Sequence, residues 1–100
     1  MATGFPIFAG LKDVKIERLT IALANTEQSF TFPDNTRAFI LRNEGSKILK
    51  WSMVATESGT KFRSLYPSES LEKENLLLDS KTLYFQSPGI GVVLEIEYWS

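Results

Sequence analysis

Val92-Val93-Leu94-Glu95-Ile96-Glu97-Tyr98-Trp99 is the longest clean alternation in the chain. Successive side chains of a strand point to opposite faces. Leu94, Ile96 and Tyr98 therefore share one face, and Val93, Glu95, Glu97 and Trp99 share the other. The first face suits a core and the second suits water. Just upstream, Ser87-Pro88-Gly89-Ile90-Gly91 is turn chemistry, and residues 82–86 repeat the strand pattern with Leu83 and Phe85 on one face.

The same period of two runs back through the chain. Val14 and Ile16 share a face, as do Leu19, Ile21 and Leu23, but the phase slips near Arg18. Such a slip predicts a bulge or a break between two short strands. Phe30 and Phe32 alternate with Ser29 and Thr31 ahead of the turn Pro33-Asp34-Asn35-Thr36. Ala38-Phe39-Ile40-Leu41 is apolar on both faces and is expected at the centre of its sheet. Asn43-Glu44-Gly45-Ser46 turns the chain into a strand over residues 48–54, where Trp51 and Met53 oppose Lys50 and Ser52. A turn at Glu57-Ser58-Gly59-Thr60 leads to Phe62 and Leu65-Tyr66. Residues 68–75 are the one stretch able to hold a helical turn, with Ser68 as N-cap and Glu69, Glu72 and Glu74 behind it. Its shortness predicts a loop with at most one turn. Valine, isoleucine, threonine and the aromatics make up 31 of the 100 residues, a bias toward pleated surfaces. Seven to eight short antiparallel strands, with turn signals about every eight to twelve residues, predict an all-β fold. The expected architecture is a single-domain β-sandwich, jelly-roll-like, over residues 11–100, preceded by an apolar arm over residues 1–10.

Composition narrows the chemistry. The chain has 11 basic and 12 acidic side chains, no histidine and no cysteine. The commonest general base, the commonest metal ligand, thiol nucleophiles and disulfides are all excluded. A formal net charge of −1 gives no reason to expect a nucleic-acid or acidic-membrane partner. The arm (Phe5, Pro6, Ile7, Phe8) lacks lysine and arginine and is broken by Gly4, Pro6 and Gly10, unlike a secretory leader. No window approaches the ~18 apolar residues of a membrane span. The arm either packs over its own domain or lies on a neighbouring subunit.

Few residues compete for a chemical role. Glu95 and Glu97 stand two apart on one strand, roughly 6.6 Å, a separation that overlaps that of inverting glycosidase carboxylates. Neighbours on one strand do not flank a substrate from opposite sides, so a solvated face or a blunted sheet edge explains them better. Glu69, Glu72, Glu74 and Asp79 lack the spacing and glycine of a calcium loop. Ser58 and Ser70 have no histidine to activate them, and Gly89-Ile90-Gly91 lacks the rest of a phosphate-cradling loop. The expectation is no enzyme, no cofactor, no metal and no catalytic residue. Trp51 has core-type neighbours. Trp99 shares a polar face, where tryptophan is costly to leave in water, and is expected under the arm or against another subunit. Stacking of Trp99 or Tyr84 on a sugar ring is the alternative, which makes the chain a small carbohydrate-binding sandwich.

Thr82-Leu83-Tyr84-Phe85-Gln86-Ser87-Pro88, followed by residues 92–99, is similar to the carboxy-terminal pattern of small structural proteins of tailed bacteriophages. Residues 19–32 with Pro33, then Ala38-Phe39-Ile40-Leu41, resemble their amino-terminal half. The resemblance spans residues 19–99, though residues 61–75 add nothing to it. It implies a non-enzymatic virion protein, assembled in the host cytoplasm, that decorates or cements a capsid or joins a head or tail assembly. Its partners would be capsid or other virion proteins and its own copies, with a trimer favoured because decoration sits on threefold axes. Burial arithmetic adds a surplus of aromatics for so small a core, which places Phe5, Ile7, Phe8 and Trp99 at subunit or partner contacts.

Overall fold

The computed structural model describes residues 14–73 and 81–99. Its strands are β1 Lys15–Thr20, β2 Gln28–Thr31, β3 Ala38–Asn43, β4 Leu49–Ser52, β5 Arg63–Leu65, β6 Ser70–Lys73, β7 Thr82–Gln86 and β8 Val93–Trp99. They form two four-stranded antiparallel sheets, ordered β1-β8-β3-β6 and β2-β7-β4-β5. First pairs with eighth, second with seventh, third with sixth and fourth with fifth. That is the pairing of one long antiparallel ribbon rolled over on itself, the jelly roll. Among the described residues there is no helix.

Alternation becomes layering. In β8, Leu94, Ile96 and Tyr98 face inward and are buried, while Glu95 and Glu97 face outward. Leu83 and Phe85 of β7 answer them from the other sheet. Between the sheets the Phe32 ring stacks on Phe39 at 4.9 Å and meets Tyr98 edge-on at 6.0 Å. Phe30 closes the cluster, 5.2 Å from Phe32 and 5.6 Å from Tyr98. Offset and edge-on ring pairs of this kind add about 0.5–1.5 kcal/mol each beyond the area they bury. As its two-sided apolar pattern requires, β3 lies between β8 and β6.

Three local expectations change. No bulge interrupts β1: its register with β8 runs unbroken from Lys15↔Tyr98 to Thr20↔Val93. The slip near Arg18 marks a switch of face, since Ile16 points outward and Leu19 inward. The strand over 48–54 is shorter, because β4 ends at Ser52. Residues 70–73 are strand, not loop or helical turn: β6 sets Leu71 beside Leu41 and Glu72 beside Ile40. A free ladder edge on β3 outweighs weak local helical preference.

The roll has two loop ends. Residues 21–27, 44–48, 66–69 and 87–92 gather at one, and residues 32–37 and 53–62 start from the other.

Candidate functional site

The outer face of the first sheet is graded along the strands. Arg18, Glu95 and Arg42 lie side by side across β1, β8 and β3. Arg18 donates to Glu95 at 2.7 Å and to Glu44 at 2.8 Å. Exposed pairs of this sort contribute roughly 0–1 kcal/mol, and here they engage the Glu95 carboxylate. The next row is Ile16, Glu97, Ile40 and Glu72. Beyond it Trp99 stands opposite Ala38, and Val14 precedes β1 on the same side. Val14 and Ile16 are exposed. Trp99 keeps just 7 % of its surface, so its ring is withdrawn from water within the single chain and offers no open platform to a sugar. Phe5, Ile7 and Phe8, expected beside it at a contact, lie outside the described residues.

On the second sheet, the outer face carries hydroxyls. Ser29, Tyr84 and Ser52 form one row, and Thr31 and Thr82 share a hydrogen bond at 2.9 Å in the next. Tyr84 is half-buried there. A polar cluster fastens residues 53–62 against this sheet. Glu27 accepts the Thr56 amide at 2.8 Å, the Ser58 amide at 3.1 Å and the Ser58 hydroxyl. Gln86 Nε2 donates to Ser58 Oγ at 2.9 Å. Burial pushes the Glu27 carboxyl up, but hydrogen bonds from the Ser58 hydroxyl and the Thr56 and Ser58 amides outweigh it and hold the group below its ordinary value. Ser58 is fully buried, which closes it to any substrate.

The remaining acidic residues divide. Glu69 accepts the Tyr66 amide at 2.8 Å and so stabilises a turn; Glu74 and Asp79 lie outside the described residues. Among the described residues, no group of three or more acidic side chains is placed to hold a metal ion. Trp51 is buried in the core, as its neighbours suggest.

One loop end carries the two most exposed large aliphatics among the described residues. Asn25 N–H donates to Ser87 O at 2.7 Å and Gly91 N–H to Ile21 O at 2.8 Å, so residues 21–25 and 87–91 run abreast. Gly91 takes φ 76°, a backbone region glycine enters without strain. This places Leu23, 62 % exposed, beside the segment carrying Ile90, 71 % exposed. Neither segment holds a charge: the chain is uncharged over 19–26 and over 82–94. At the same end, Arg42, Glu44, Ser68 and Ser70 line a shallow polar depression of about 410 Å³, and Tyr66 in the adjoining turn is 58 % exposed.

The roll has a structural parallel. A de novo designed double-stranded β-helix, solved by solution NMR, superposes with a TM-score of 0.52. The match covers 89 % of this chain and all of that one, at 13 % identity. The likeness is one of fold alone. No family description and no curated protein matches the sequence.

Two features escaped sequence reasoning. The Glu27–Ser58–Gln86 cluster joins residues 31 and 28 positions apart, and nothing local marks Glu27 as their partner. The apolar loop end did leave a trace, the two uncharged stretches, but their adjacency needs the roll.

Proposed function

We propose that the protein is a non-enzymatic structural protein of a tailed-bacteriophage virion, of the capsid-decoration or cement type. It binds the capsid surface and its own copies. The observation that carries the reading is the loop end where two adjacent uncharged segments expose Leu23 and Ile90. Contiguous exposed apolar surface on a small domain favours a protein contact. Two further points support it: the resemblance over residues 19–99, and the jelly roll, an architecture that viral capsid domains share with lectins. The second point is an analogy of fold. The trimer comes from the resemblance.

Size-exclusion chromatography with light scattering tests the reading at micromolar concentration. The parent is expected to run as a closed oligomer, and Leu23→Asp with Ile90→Asp to shift it toward monomer with unchanged strand content. A parent that runs as a monomer, and does not sediment with capsids, ends the proposal.

A second reading, a carbohydrate-binding sandwich, is favoured by Tyr66 beside the Arg42–Ser70 depression. With Trp99 buried, Tyr66 replaces it as the stacking ring. Calorimetry with simple hexoses, repeated on Tyr66→Ala, separates the two.

A further inference from the structure

We propose that residues 53–62 form a strap clasped by Glu27, which opens as a unit when that carboxylate is neutralised while the roll stays folded. Its attachment is almost wholly polar. Met53, Val54 and Phe62 stay exposed or nearly so, and Ser58 is the strap's buried side chain. Internal turns give the strap its own shape: Glu57 N–H donates to Val54 O, and the Thr60 and Lys61 amides donate to Glu57 O.

Three donors converge on one carboxylate, so one proton removes the charge that holds them. Hydrogen bonds to a charged acceptor are stronger than neutral ones. The clasp also restrains strain. Thr56 sits at φ 67°, an uncommon conformation for a β-branched residue, and its amide is one of the three donors. On the sheet side, Gly59 lies against the Gln86 amide, where a Cβ would come within 3.0 Å, and Phe62 rests 4.9 Å from Lys50 Nζ. Opening would uncover Lys50 and Gln86 on the outer face of β4 and β7.

The charged groups of the packed elements are few. The strap brings Glu57 and Lys61 and β4 brings Lys50; β7 and residues 21–31 bring none besides Glu27. Among the described residues none forms an ion pair with Glu27, so the response belongs to the hydrogen-bonded carboxylate itself. Because the folded chain holds the Glu27 proton less tightly than the unfolded chain, the clasp is at full strength above the ordinary glutamate range. It is lost as pH falls through the lower folded value.

Amide exchange by NMR, corrected for intrinsic rates, tests this on the full chain. In Glu27→Gln at about pH 7, Thr56 and Ser58 amides should lose protection by at least about tenfold, while Leu94 and Ile96 keep theirs. Tryptic cleavage after Lys61 should accelerate to match. Unchanged protection, or strap and strand amides weakening together, would overturn the proposal. If the variant does not fold, titrating the parent serves instead. The Thr56 and Ser58 signals should move together below the usual glutamate range while Leu94 and Ile96 hold still. Signals that do not titrate, or a spectrum that collapses all at once, overturn it equally.

Discussion

Asn43 sits in the interior with no solvent exposure, and every polar atom of its amide is engaged. Its Nδ2 donates to Lys47 O and Leu65 O, both at 2.8 Å, and its Oδ1 accepts the Gly45 amide at 2.8 Å. One side chain thus ties the end of β3 to its turn and to β5. Asn43→Ala would leave the buried Leu65 carbonyl unsatisfied, at about 1–3 kcal/mol, and would strip the part-buried Lys47 carbonyl and Gly45 amide of a partner that water replaces only in part. A loss of about 2–4 kcal/mol in urea unfolding is expected. Two residues on, Gly45 lies so close to Val92, the residue before β8, that a Cβ would fall 2.6 Å from Val92 Cγ1 and 2.9 Å from Val92 Cα. Backbone cannot swing aside as a side-chain tip can. Gly45→Ala should therefore cost about 1–3 kcal/mol, read as a lowered melting temperature.

Among the elements, β1 separates face from composition. Ile16 and Leu19 are both large aliphatics on one six-residue edge strand, yet Ile16 points to solvent and Leu19 packs on the core. Ile16→Thr should change stability by less than about 0.5 kcal/mol, whereas Leu19→Thr should cost well over 1 kcal/mol. Equal losses from the two would mean that the β1 register is wrong. Residues 70–73 carry the complementary lesson. Glu69, Glu72 and the preceding Ser68 argue locally for a turn of helix, but pairing with β3 supplies ladder hydrogen bonds that an isolated short helix would lack.

For the whole molecule, the distribution of charge shapes association. Ion pairs gather on the outer face of the first sheet and reach Glu44 at its margin, whereas the segments carrying Leu23 and Ile90 at one loop end hold no charge. An assembly held by that end should survive about 0.5 M salt, since screening acts on charges and not on apolar burial. Its melting temperature should rise with protein concentration, because association stabilises only the folded state. Deleting residues 1–9 should weaken assembly while leaving the circular-dichroism signature of strands intact, whereas Trp99→Ala, whose ring is already withdrawn from water within the chain, should lower the melting temperature instead. A melting temperature independent of concentration would leave the molecule a monomer.

Period-two alternation in residues 82–86 and 92–99, repeated along the chain between regularly spaced turn signals, determined by itself that the fold is all-β. A strand with one buried face must place Leu83, Phe85, Leu94, Ile96 and Tyr98 inward whatever its neighbours. The absence of histidine and cysteine likewise bounded the chemistry without any coordinates. Local pattern does not say which of two similar aliphatics faces water, nor what meets across long separations. Only the tertiary structure decided that Ile16 points outward, that Trp99 on an outward position is nonetheless withdrawn from water, and that residues 70–73 pair as a strand. It also decided that Glu27 finds Ser58 and that the Leu23 and Ile90 segments run abreast. Each of these depends on loop closure across dozens of residues, and side-chain periodicity within a strand holds no information about that distance.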